Sequence, residues 1–106
     1  MKKELVEGMD IKIAISLNKL LVASKIYKHN DDKLDQIATS YNKIALYADI
    51  RKATVSDTFN SNSIPRSTTL ILIVEAMGYK LYDFAKIYDT ITNGEILEFR
   101  KSLNKN

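Results

Sequence analysis

Apolar residues recur at three- and four-residue intervals along most of this chain, and each such stretch predicts a helix. The first covers residues 10–28, with Asp10 as its N-cap and residues 1–9 ahead of it as a flexible arm. Ile13, Leu17, Leu20 and Leu21, with Ser24, fall on one face; Ile11, Ile15, Val22 and Ile26 fall on a second. One stripe suffices to bury a helix on a small domain. The second stripe either packs on the chain's own tail or meets another subunit.

His29-Asn30-Asp31-Asp32 breaks the pattern, and a new spacing runs through Leu34, Ile37, Ala38, Tyr41, Ile44, Ala45 and Ala48, which predicts one helix over residues 33–48. Asp49, Ile50 and Arg51 break it, and Ala53, Val55 and Phe59 start a new stripe over residues 52–60. A polar loop follows, with Ile64 as a plug into the core. Ser67 caps a helix over 68–77, and Gly78 stands at its end. Its run at 70–74 is apolar nearly all round, which a buried parallel strand would also satisfy; the Ser cap and the trailing Glu-Ala-Met-Gly favour helix. A short helix over 81–89 buries Leu81, Phe84, Ala85 and Tyr88. Thr92 and Glu95 then form a capping box, flanked by Ile91 and Ile96 at the staple positions. That predicts a last helix over 93–103, with Ile96, Phe99 and Leu103 on one stripe and Leu97 beside it, despite Gly94 in its first turn.

The expected fold is therefore all-α, in one domain of residues 10–106. Its 106 residues support one modest core, and 45% apolar with 27% charged residues is ordinary for a soluble globular protein. The chain has no Cys, which removes disulfides and thiolate sites and suits a reducing cytoplasm, the expected location. Its N-terminus does not read as a signal peptide and no apolar run is long enough to span a membrane. The net charge of +3 permits nucleic-acid binding without demanding it. Between Ile50 and Leu70 stand three bases, Arg51, Lys52 and Arg66, and one acid, Asp57, among many Ser, Thr and Asn. By charge alone that region also reads as an ordinary solvated loop.

Little points to catalysis. There is one His, His29, so no His cluster can hold a metal, and its place near a helix end suits a basic side chain. Asp31, Asp32 and Asp35 read as helix caps rather than a cation site. Ser56 beside Asp57 has no partnered base and makes no nucleophile constellation. No enzyme activity, cofactor or metal is expected.

The helices on either side of Asp49 are the informative feature. Two short helices joined by so short a break must cross steeply, leaving the outer face of the second free for a DNA major groove. The ordered residues Ile44-Ala45, Asp49-Ile50, Arg51-Lys52-Ala53, Thr54-Val55-Ser56, Asn60-Ser61-Asn62, Pro65, Thr69-Leu70 and Ala76-Met77-Gly78 resemble the helix-turn-helix domain of the Xre/lambda-repressor-like family. The resemblance covers residues 42–84. It implies a lambda-repressor-like five-helix domain, here with an elongated second helix and an additional C-terminal helix. It departs from the family pattern in about a dozen extra residues before the motif, in Phe59 where Glu is frequent, and in Ser61 where Gly is frequent. Asp49 replaces the usual turn Gly and tolerates the left-handed conformation better than most residues. Arg51 replaces the usual Ser cap, serving either a phosphate or nothing in particular.

What the resemblance implies for function is a sequence-specific DNA-binding transcriptional regulator, a repressor that binds a near-palindromic operator in double-stranded DNA as a homodimer. Base contacts are expected from Lys52, Ala53, Ser56 and Asp57. Lys52 suits guanine, Ala53 a thymine methyl, and Asp57 a cytosine amine, although an acid there also repels phosphates. Phosphate contacts are expected from Tyr41, Arg51, Asn60, Asn62, Ser63 and Arg66, which would position the protein without reading sequence. Two alternatives remain: an antitoxin-type protein that binds a toxin and represses its own promoter, and a helical protein–protein adaptor without DNA binding.

Overall fold

The computed structural model describes residues 3–30 and 37–103, with the side chains of 8–26 and 37–103. Among the described residues there are six helices and no strand: α1 (Lys3–Asn30), α2 (Tyr41–Ala48), α3 (Lys52–Phe59), α4 (Ser67–Ala76), α5 (Leu81–Tyr88) and α6 (Asn93–Leu103). The expected all-α class holds.

The length lies in the first helix, not the second. α1 begins at Lys3, so residues 3–9 are helix rather than a loose arm, and Asp10 lies inside α1 rather than capping it. The residues ahead of Asp10 are mostly good helix formers, and Gly8 alone resists. α2 starts only at Tyr41, so no helix runs through Ile37 and Ala38 as their spacing predicted. Ser40 stops it: its backbone is extended, and its side chain accepts from the Lys43 amide as N-cap. The Ala38 amide meanwhile donates to the Ala76 carbonyl at 2.9 Å, a bond that a continuous helix would forbid. Leu34, Asp31, Asp32 and Asp35 and the side chain of His29 lie outside the described residues.

α2, α3 and α4 end alike. Asp49 (φ 57), Ser61 (φ 61) and Gly78 (φ 87) each adopt the left-handed conformation after the helix. The following amide closes back five residues in each case: Ile50 to Ala45, Asn62 to Asp57, and Tyr79 to Val74. These closures satisfy carbonyls that a helix end leaves orphaned.

The core joins Leu17, Leu20 and Leu21 of α1 with Ala38, Ile44, Val55, Phe59, Ile73, Val74, Met77 and Phe84. α4 is central as expected: Ile73 and Val74 are fully buried, while Leu72 is turned outward. The second stripe of α1 divides. Ile11 and Ile15 pack with Ile91, Ile87, Ile96 and Phe99, so the chain's own tail covers that half. Val22 and Ile26 remain exposed. The Thr92 capping box forms in both directions, with the Glu95 amide donating to Thr92 Oγ1 and the Thr92 amide to Glu95 Oε1.

Three smaller expectations fail. The N-cap of α4 is Arg66 in an extended conformation, and Ser67 is the first helical residue. Ile64 is 52% exposed and plugs nothing, since Pro65 and Arg66 leave the loop on the surface. In α5, Leu81 and Ala85 face outward; Phe84 is buried and Tyr88 half-buried, one face being enough for a helix at the edge.

Candidate nucleic-acid interface

The candidate surface is the outer side of α3 with the turn before it and the loop after it. α3 is held from beneath. Val55, Thr58 and Phe59 are buried, and the Thr58 hydroxyl donates to the Thr54 carbonyl, so it needs no solvent. Ile44 of α2 is fully buried in the same cluster as Val55 and Phe59, with the left-handed Asp49 between the two helices. Ile50 packs partly against this cluster, which anchors the turn.

The free side is graded along the helix. Arg51, Lys52 and Ala53 at its start are exposed, and Ser56 and Asp57 are half-buried. Arg51 is the N-cap residue, and its guanidinium, which carries donors only, makes no side-chain capping bond. In the loop, Asn62, Ser63 and Arg66 are exposed. Arg66 likewise precedes a helix start that no side chain caps. Two uncapped helix starts, each beside an arginine, therefore carry backbone N–H groups without a side-chain acceptor from the N-cap.

Two expected phosphate contacts are placed differently. The Asn60 side chain turns back, its Nδ2 donating to the Ser56 carbonyl at 2.8 Å and lying 3.4 Å from Ser56 Oγ. It completes the end of α3 and occupies part of Ser56. Tyr41 lays its ring against Phe59, with centroids 4.9 Å apart and planes tilted by 40°. Burial pushes the Tyr41 hydroxyl up from its ordinary pKa, and a hydrogen bond with the Asn60 side chain partly offsets this. Tyr41 thus joins the start of α2 to the end of α3.

One residue at this site escaped the sequence reading. Asn18 of α1 donates from Nδ2 to the Phe59 carbonyl, the last of α3, at 2.9 Å. A signal was available: Asn18 stands three residues after Ile15 and four before Val22, a polar residue inside an apolar stripe. Among the described residues no group of three or more His, Cys, Asp or Glu side chains is arranged to hold a metal ion. No helix among them is long and apolar enough to cross a membrane.

No family model, no curated protein and no solved structure matches this chain.

Proposed function

We propose that this chain is a sequence-specific DNA-binding transcriptional regulator of lambda-repressor-like type, a repressor acting as a homodimer. The observation that carries this reading is the α2–turn–α3 unit. Its left-handed Asp49 and shared buried residues hold α3 against α2, while Arg51, Lys52 and Ala53 stand bare at the leading end of α3. A helix presented in this way can put its first turns into a major groove. Lys52 then addresses base edges, with Ala53, Ser56 and Asp57 beside it. Arg51, Arg66, Asn62 and Ser63 meet the backbone on either side. In a dimer, two such helices about 34 Å apart read the halves of a near-palindromic operator.

The test is a titration by fluorescence anisotropy against the DNA upstream of its own gene and a scrambled duplex, near physiological salt. Binding the native duplex roughly a thousandfold more tightly, with the gap narrowed by Lys52→Ala, supports base readout through α3. No binding to either duplex, even at low salt, defeats the regulator reading.

A second reading, a toxin-binding antitoxin or another protein-binding adaptor, is favoured by one feature. Leu46 and Leu72 are exposed, at 73% and 41%, and Leu72 lines a groove of about 450 Å³ with Tyr47, Ala48, Glu75 and Ala76. Stable co-purification with the product of an adjacent gene, in a ratio disturbed by Leu72→Glu, would favour it.

A further inference from the structure

We infer that Asn18, on α1 and away from the outer face of α3, is the residue that sets the pose of the DNA-facing helix; its consequence for recognition rests on the regulator reading above. Its Nδ2 carries two hydrogens, and both have acceptors: the Ala14 carbonyl one turn back at 2.8 Å, and the Phe59 carbonyl of α3 at 2.9 Å. The first bond fixes the amide on α1. The second ties the C-terminal end of α3 to that fixed point.

Of the other bonds around this end, the one between Tyr41 and the Asn60 side chain ties it to α2, and the rest are local. The amides of Asn60, Ser61 and Asn62 close onto Ser56, Thr58 and Asp57, and the Asn60 side chain closes onto Ser56. They shape the end of α3 without locating it relative to α1. The buried Val55 and Phe59 do hold α3 to the core. Apolar burial, however, is non-directional, and it sets the orientation of a helix of 8 residues less sharply than a directed bond does. A hydrogen bond weakens steeply with misalignment and opposes that motion. α3 rises only about 12 Å end to end, so a small rotation at Phe59 displaces Lys52 and Ala53 at the other end.

The test compares the wild-type chain with Asn18→Leu, which keeps bulk, favours helix and removes the donor. Asn18→Asp, of the same size and without donors when ionised, replaces it should Asn18→Leu fail to fold. Both are read at a temperature where circular dichroism shows the variant fully folded. The expected result is a loss of about tenfold in affinity for the upstream duplex, with low-salt affinity for the scrambled duplex unchanged. In parallel, hydrogen exchange at the amides of Asn60, Ser61 and Asn62 accelerates while that in α5 does not. A purely structural bond would lower the melting temperature and leave discrimination by the folded protein intact; that result overturns the inference. Unchanged exchange at all three amides overturns it as well. If the wild-type chain binds both duplexes alike, the upstream DNA is not its operator, and if it binds neither even at low salt, the regulator reading fails. The exchange pattern alone then decides whether Asn18 sets the pose of α3.

Discussion

The side chain of Ile37 fills the place that a Cβ on Gly78 would need: an added carbon would lie 2.9 Å from Ile37 Cδ1 and Cγ1. Gly78 also has φ 87, so it is required twice, by its own backbone and by its neighbour. Gly78→Ala is expected to lower stability by about 2 kcal/mol, read as the urea midpoint at constant slope. Adding Ile37→Ala to the Gly78→Ala background should relieve the steric part of the defect and leave the backbone part. Equal losses in both backgrounds, after allowing for Ile37→Ala alone, would show that Ile37 does not press on this turn.

Ser61 adopts the same left-handed conformation with a side chain attached, at φ 61. Ser61→Gly removes a backbone cost of roughly 1–2 kcal/mol and adds about half of that in unfolded-state entropy. The expected result is a protein more stable by up to about 1 kcal/mol. A fall in thermal midpoint would mean that the Ser61 side chain contributes more than its backbone costs.

Glu95 joins α6 to α1 through Lys19, at 2.6 Å, while holding the Thr92 amide. The Lys19 bond, and after it the Thr92 amide, holds the Glu95 carboxyl below its usual range. A carboxyl whose pKa is depressed by folding stabilises fully above its unfolded pKa, and that contribution is lost as pH falls through the folded value. Wild-type stability should therefore fall more steeply than that of Glu95→Gln below the ordinary glutamate range. Parallel curves down to pH 3 would remove Glu95 from the acid response. Thr92→Ala, which deletes the cap itself, should destabilise by about 1 kcal/mol at neutral pH.

Arg51 and Arg66 are exposed beside helix starts that no side chain caps. Under the proposed function they meet phosphates, so each change to Ala should weaken binding to native and scrambled duplexes alike. Each should also lower the slope of log K against log salt by about 1. A change confined to the native duplex would make either one a base reader.

Much of this was legible locally. Helix ends depend on neighbours in sequence, so the Thr92–Glu95 box, the left-handed Asp49, the Gly78 stop and the weak cap at Arg51 could all be read from residue types. The bounds of α3 followed for the same reason, with Val55 and Phe59 marking its inner face. Of the candidate site, the exposure of Lys52 follows from that periodicity, whereas Ala53, which shares the apolar stripe of Val55 and Phe59 in sequence, is exposed.

Periodicity failed where a competing bond won. Ile37 and Ala38 carry helical spacing, yet Ser40 caps a later start and Ala38 gives its amide to Ala76, a residue distant in sequence. Ile64 and Leu81 are apolar and exposed, because whether an apolar residue is covered depends on which element lies above it. The two halves of the α1 stripe are alike in sequence, and only the positions of α5, Ile91 and α6 separate the covered Ile11 and Ile15 from the bare Val22 and Ile26. The inward turn of Asn60 and the reach of Asn18 to Phe59 belong to the same class. The chain itself determines which segments are helical and how most of them end, since those are short-range matters of capping and spacing. Tertiary packing decides which faces stay open and how α3 is posed, because those depend on groups that only folding brings within reach.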